Sequence, residues 1–360
     1  MEFHINNNFF SDNINFDINN VVVKSLFKEY NVIYENIDNS YIVNNLIGIN
    51  DFLIIDHNVF NLHNSFYNSL KNKYIIDAIE EKKTMSTVME IVEYLTKAKI
   101  TKNNNIIVIG GGLTQDIGGF VSTIFKRGIN WILIPTTLLC MTDSSIGSKI
   151  CLNTESKNLL GMFNPPNKIY ITTYFLNTLD KEQINSGLGE ALKLSLIGGH
   201  NTYNIYKELV KENDYLKIIK LSMAIKKIII EKDEFEKNER KVLNYGHTIG
   251  HALESISNYE IPHGIAISIG MYIKNILFFD NKYDDVNNEI LQLINKKYFN
   301  ISFSYELFLN HIKNDKKNID NNVCFIVLDD IGNTKTIFVE LDEVKDKLFN
   351  VMKKIFNNIY

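Results

Sequence analysis

The stretch "NIIVIGGGLTQDIGGFVSTIF" (residues 105–125) joins an apolar run to three consecutive glycines and then to apolar residues at helical spacing. It reads as a buried strand, a glycine turn and a helix. Residues without a Cβ at such a turn let backbone N–H groups approach a pyrophosphate, and the helix N-terminus favours its charge. The spacing is not the common G-x-G-x-x-G, and a tight turn needing positive φ is the competing reading.

The neighbouring segments repeat the alternation. "DFLIIDHNVF" (51–60) reads as a buried strand ending in a polar turn. Its Asp56 is placed either to reach a ribose or to sit solvated in that turn. "TMSTVMEIVEYLTKAKI" (84–100) has helical spacing, and "INWILIPTTLLC" (129–140) is another buried strand, ending at Pro135. Such alternation implies a parallel sheet with a nucleotide at the carboxyl ends of its strands. From about Leu179 the texture changes. "KEQINSGLGEALKLSLI", "YLKIIKLSMAIKKIIIEKDEFEKNE" and "HGIAISIGMYIKNILFF" read as helices, and strand signal returns at "NNVCFIVLDD". The expectation is a Rossmann-like α/β nucleotide-binding domain over residues 1–182 and a mostly helical domain over 183–360. No Pro/Gly/Ser linker separates them, which predicts close packing around a cleft.

With 45% hydrophobic and 22% charged residues, the composition is that of an ordinary globular chain. A net charge of −4 gives no general reason to expect nucleic acid or an anionic membrane as partner. An anionic ligand therefore needs a local cluster of Lys and Arg. The N-terminus lacks the basic start and apolar run of a signal peptide, and no apolar stretch approaches the roughly 20 residues of a membrane helix. Cys140, Cys151 and Cys324 lack metal-ligand spacing and suggest reduced thiols in a cytoplasmic protein.

Three of the eight histidines, His247, His251 and His263, fall within "YGHTIGHALESISNYEIPHG" (245–264). His247 and His251 share one face of a helix, His263 follows a loop later, and "GLGEALK" offers Glu190 on a separate helix. One carboxylate with two or three imidazoles suits zinc, and a catalytic ion needs only three protein ligands. Spacing does not choose which imidazoles bind it. Lys149, Lys157 and Asn158 lie in "TDSSIGSKICLNTESKNLLG" (142–161), Lys193 follows Glu190 by one helical turn, and Lys226 and Arg240 precede the histidines. Singly these lysines read as solvated; jointly they form a candidate anion site.

The motifs "GGGLTQDIGGF", "DSSIGSK", "KNLLGMFNPP", "GLGEALK", "DEFEKNERKVLNYGHTIGHALE" and "HGIAISIGM" together resemble the 3-dehydroquinate synthase family, within the sugar phosphate cyclases. The resemblance runs from about Asp56 to Lys317. It implies an NAD- and zinc-dependent lyase of the shikimate pathway, with cobalt as an alternative ion, working as a homodimer. The reaction implied converts 3-deoxy-D-arabino-heptulosonate 7-phosphate into 3-dehydroquinate and phosphate. By this resemblance Glu190, His247 and His263 are the metal ligands, and His251 is the free imidazole at the leaving phosphate. Asp56, Glu80, Lys83, Gly111, Gly112, Asp116, Thr136, Thr137, Asp143, Ser144, Lys157 and Thr178 would surround NAD. Lys149, Asn158, Asn244 and Lys316 or Lys317 would hold phosphate, with Arg127 reaching the neighbouring subunit's phosphate. Lys193, Lys226 and Arg240 would bind hydroxyls and carboxylate, and Glu234 and Glu236 would organise that basic wall. His251, Lys149, Lys193 and Glu236 are the catalytic candidates.

Three residues depart from the family's usual pattern: Ser148 where Gly is usual, Ile265 where Glu is typical, and bulky Gln115 where a small residue is common. Related cyclases forming 2-deoxy-scyllo-inosose or epi-valiolone take substrates without a carboxylate and have no use for Lys226 and Arg240. A metal- and NAD-dependent polyol dehydrogenase would accumulate NADH and usually carries Asp where this chain has Glu190.

Overall fold

The apolar run before the glycines is an interior strand of a seven-stranded sheet. The computed structural model describes residues 2–6, 8–11, 15–155, 157–315, 317–320 and 322–360. The sheet comprises β1 (Asn20–Val23), β2 (Tyr30–Tyr34), β3 (Phe52–Asp56), β4 (Lys73–Ile76), β5 (Asn105–Gly110), β6 (Asn130–Pro135) and β7 (Lys168–Ile171). Its order is β1-β2-β7-β6-β5-β3-β4, parallel except for the β1–β2 pair. Every residue of β3 is buried, as are Ile106 to Gly110 of β5, which is why both segments read as continuous apolar runs. From β3 the chain steps outward to β4, then returns to the other side of β3 as β5. This reversal is the topological switch point, and the strand ends flanking it are Asp56 and Gly110.

Five helices carry the candidate site: α1 (Gly112–Ile124), α2 (Lys181–Ile197), α3 (Tyr215–Lys232), α4 (His247–Ile256) and α5 (His263–Phe279). The chain forms two compact units. One comprises Asn15–Leu179 and Tyr215–Phe235, and therefore the sheet with α1 and α3. The other joins the N-terminal hairpin (Glu2–Ile5 with Asn8–Ser11) to Asp180–Asp214 and Glu236–Tyr360. A single cut after residue 182 differs from this at the N-terminal hairpin, at residues 180–182 and at 215–235, and side chains explain the last and largest. On α3, Lys226 pairs with Asp143 at 2.9 Å. Just beyond its end, Glu234 accepts from Ser148 Oγ and Ser25 Oγ at 2.7 Å each. Those bonds hold the helix in the sheet unit.

In the helical unit, glycines let backbones touch. A Cβ on Gly264 would lie 1.8 Å from the Ser186 carbonyl oxygen, and one on Gly189 would lie 2.6 Å from the Gly264 oxygen. Helices α2 and α5 thus cross in backbone contact, and Gly264 N–H donates to Ser186 Oγ at 3.0 Å. Gly246, which caps α4, has φ +88°, and a Cβ there would meet Ile267 O at 2.7 Å. The hairpin Asn322–Asp330 with Asn333–Glu340 joins this unit, where the Cys324 carbonyl accepts from Thr248 Oγ1 of α4. Among the described residues no helix is long and apolar enough to cross a membrane.

Because carbonyl oxygens cannot move as side-chain tips do, Gly264→Ala is expected to destabilise the protein by about 3 kcal/mol or more. Gly112→Ala meets nothing closer than Ser144 Oγ at 3.5 Å, so it should stay within about 1 kcal/mol of wild type. Thermal unfolding of both variants checks this, and equal losses would contradict the helix-crossing account.

Candidate active site

In the sheet unit, the candidate nucleotide cradle is built by the switch point. Gly111 caps α1 with extended geometry, and no side chain caps the helix there. None of Gly110, Gly111 and Gly112 has positive φ. Their value is closeness: a Cβ on Gly110 would collide with Thr114 at 2.6 Å and one on Gly111 with Thr137 at 2.9 Å. The uncapped N–H groups at the start of a 13-residue helix form a cradle suited to a phosphate. The competing positive-φ reading is thereby corrected.

Asp56 is buried and N-caps the helix His57–Leu62, accepting from Asn58 N at 2.7 Å and Val59 N at 3.3 Å. Burial raises its pKa, against the pull of those two N–H groups. The solvated-turn alternative does not describe it. Lys83 pairs with Asp116 at 2.5 Å and donates to Asn158 Oδ1 at 2.6 Å. Burial works to lower the Lys83 pKa, but the Asp116 carboxylate outweighs it and the ammonium persists. Cys151 lies within this group, 3.0 Å from Asn158 Oδ1, and burial pushes its thiol up to about 12, so it is a packing thiol. Glu80 accepts from Asn153 Nδ2 at 2.8 Å. Thr136 is buried, while Thr137 Oγ1 accepts from Cys140 N at 3.2 Å. Thr178 is exposed and donates to the Phe175 carbonyl. Lys149 is exposed at the start of the strand Lys149–Leu152, and Lys157 is half-buried. Arg127 is exposed, and it and Lys126 hold left-handed backbone at φ 65° and 50°.

Two departures now have a local account. Gln115 is buried, donates to Ser144 O at 2.8 Å, and accepts from Ser144 Oγ at 3.1 Å and Cys140 Sγ at 3.0 Å. Ser148 holds φ 63°, and its hydroxyl anchors on Glu234, which offsets the strain a glycine would avoid. Ile265 is buried at 1% exposure in the first turn of α5.

The candidate metal cluster lies wholly in the helical unit. His247 and His263 are the first residues of α4 and α5, and His251 stands one turn along α4. One ring nitrogen from each of the three lies within 4.8 Å of the others. Ring centroids are 5.1 Å apart for His247–His251, 5.6 Å for His247–His263 and 5.8 Å for His251–His263. His247 Nδ1 lies 3.2 Å from the Tyr245 carbonyl, which assigns the N–H to Nδ1 and leaves the lone pair on Nε2. Burial of the ring, then Lys193 and the neighbouring imidazoles, push its pKa well down, so the ring is neutral. Helix N-termini also disfavour a protonated imidazole.

Glu190 and Lys193 are fully buried one turn apart on α2 and in contact. Glu190 Oε2 is ion-paired with Lys193, while Oε1 lies 3.6 Å from His263 Nε2 and receives no hydrogen bond among the described residues. A buried carboxylate with one oxygen lacking a hydrogen bond, set beside clustered imidazoles, is the chemistry a divalent cation completes. These residues fit a zinc or cobalt ion, and His251 belongs to the same cluster as the two expected ligands.

The remaining candidates divide between the units. Arg240 is buried in the helical unit, Asn244 donates to Glu236, and Lys317 pairs with Asp315 at 2.5 Å. Lys316 lies outside the described residues. Lys226, by contrast, belongs to the sheet unit and is paired with Asp143, so it and Arg240 do not form one cluster within a unit. Glu234 likewise belongs to the sheet unit, where it accepts from Ser25, Leu26 and Ser148. Sequence reasoning missed Glu254, whose Oε2 lies 3.2 Å from His263 Nδ1. Its signal was spacing: it stands three residues after His251, on the same helical face.

Comparison with known proteins agrees with this geometry. Residues 73–186 match the family described as 3-dehydroquinate synthase N-terminal, and residues 187–318 match 3-dehydroquinate synthase C-terminal. A 3-dehydroquinate synthase of Thermoanaerobacter pseudethanolicus is 36% identical over 313 residues, covering 81% of this chain and 88% of that one. Among solved structures, a 2-deoxy-scyllo-inosose synthase complexed with carbaglucose-6-phosphate, NAD+ and Co2+ superposes with TM-score 0.76 at 23% identity, over 91% of this chain and 99% of that one. A 2-epi-5-epi-valiolone synthase from Streptomyces hygroscopicus with NAD+ and Zn2+ bound gives 0.75 at 21%, over 92% and 99%. Those two likenesses carry the fold, and the matched residues 73–318 carry the kinship: this chain belongs to the 3-dehydroquinate synthase family.

Proposed function

We propose that the protein converts 3-deoxy-D-arabino-heptulosonate 7-phosphate into 3-dehydroquinate and phosphate, as a cytoplasmic homodimer that uses NAD and a zinc ion. The observation that carries this reading is the buried Glu190 carboxylate, whose Oε1 receives no hydrogen bond among the described residues, beside three clustered imidazoles. The names of the relatives support the same substrate, and the NAD+ and Zn2+ or Co2+ of the two solved cyclases support the cofactors.

Glu190, His247 and His263 would hold the ion, and the α1 N-terminus with Lys83, Asp116 and Thr137 would hold the dinucleotide. When bound, the nucleotide supplies a reversible hydride acceptor and the ion supplies Lewis-acid polarisation of substrate hydroxyls. The protein's own residues bind and position. Arg240 presents a bidentate fork suited to the substrate carboxylate, and Lys193 adds a point charge. With Lys226 committed to Asp143, Arg240 is the main ground for a carboxylated substrate. Lys149, Asn158, Asn244 and Lys317 supply donors for the phosphate, and Arg127 of each subunit serves its neighbour. His251 donates to the phosphate as it leaves, and Glu236 orients Asn244 beside it. No net oxidation occurs, so the enzyme is a carbon–oxygen lyase.

Purified protein given the heptulosonate phosphate should release one phosphate per dehydroquinate with no net NADH. Steady NADH accumulation would instead indicate a polyol dehydrogenase. His247→Ala and His263→Ala should lose bound zinc, measured by metal analysis. His251→Ala should keep it and slow phosphate release by about 10²-fold or more; a zinc-free His251→Ala protein would make that imidazole a ligand. Arg240→Ala should raise KM for the substrate by about 10- to 100-fold, the worth of a charged hydrogen bond, while NAD binding stays near wild type.

A further inference from the structure

Carboxylates flank both ring nitrogens of His263. Nδ1 lies 3.2 Å from Glu254 Oε2, and Nε2 lies 3.6 Å from Glu190 Oε1. A neutral imidazole has one N–H to give and one lone pair to present. The Glu254 contact is near hydrogen-bond length and the Glu190 contact is not. In the neutral ring the N–H therefore belongs on Nδ1, and the Nε2 lone pair faces Glu190 Oε1, which receives no hydrogen bond among the described residues. Two acceptors turned toward each other repel unless a cation lies between them. Glu254 is 2% exposed and also lies 4.0 Å from His251 Nε2. It stands on α4 while His263 opens α5, so one buried carboxylate reaches imidazoles on both helices.

We propose that Glu254 is a positioning residue that fixes the tautomer and ring orientation of His263, so that Nε2 is presented for metal binding. The inference rests on reading Glu190, His247 and His263 as the ligands. Loss of such an outer partner typically weakens metal affinity by about 10- to 100-fold. A purely structural Glu254 would instead lower the stability of the metal-free protein and leave affinity alone.

The test uses the full chain, zinc titration against a competing chelator, and thermal melting of the metal-free protein. Glu254→Gln, isosteric but uncharged, should bind zinc about 10- to 100-fold more weakly with a metal-free melting temperature near wild type. Glu254→Asp, which retracts the carboxylate by one methylene, should fall between. Unchanged zinc affinity in Glu254→Gln overturns the role of Glu254 and leaves the ligand reading standing. A wild-type protein that takes up no zinc overturns the ligand reading, and this inference with it. Should Glu254→Gln fail to fold, the Asp variant decides, and wild-type affinity there overturns the proposal.

Discussion

The contact on which the site depends is a crossing of two backbones. Where α2 meets α5, Gly264 leaves only enough room for the Ser186 carbonyl, and Gly189 faces the Gly264 carbonyl in the same way. Any side chain at these positions would separate the helices. Glu190 is the next residue on α2 and His263 is the first of α5, so the crossing alone brings a carboxylate and an imidazole within 3.6 Å. Gly246 performs the same service for α4, whose first residue is His247. Packing that looks like a stability feature is therefore also what assembles the carboxylate–imidazole cluster.

That assembly is electrostatically expensive at rest. Glu190 and Lys193 are buried charges in contact, and such pairs seldom repay their desolvation in stability. His247 meanwhile is held neutral by burial and by positive neighbours. A cluster of three imidazoles around a buried carboxylate oxygen that lacks a hydrogen bond is a poor hydrophobic core but suits a dication. The candidate nucleotide cradle of the sheet unit follows a different logic. Its charges, Lys83 with Asp116 and Lys226 with Asp143, are paired inside the sheet unit, and the helix N-terminus is left open.

Much of this was legible from residues alone. The buried strands β3 and β5 and the helices α1, α2 and α5 announce themselves by apolar runs and helical spacing. Other features were hidden because their cause is tertiary. The glycines of the turn serve close approach rather than positive φ, which sequence does not distinguish. Helix α3 reads as one more basic amphipathic helix, and only its bonds to Asp143, Ser148 and Ser25 assign it to the sheet unit. Glu254 sits in "HALE", where a helical glutamate is ordinary, and its partner lies across a loop on another helix. Asp56 looked like a turn residue because a six-residue helix after a strand leaves little periodic signal.

The interleaving of the two units bears on how the chain is made. The sheet is complete at Leu179, but its helix α3 follows only after Asp180–Asp214, which belong elsewhere. At about 5–20 residues per second, a ribosome would leave the nascent sheet without that helix for on the order of 3–10 s. The N-terminal turn waits longer still, because Asn6 hydrogen-bonds Gly332 and Thr334 near the other end of the chain. Neither unit is a contiguous fragment, so proteolytic excision or a tandem expression split would yield pieces with unmet partners, and heterologous production should favour the uninterrupted polypeptide.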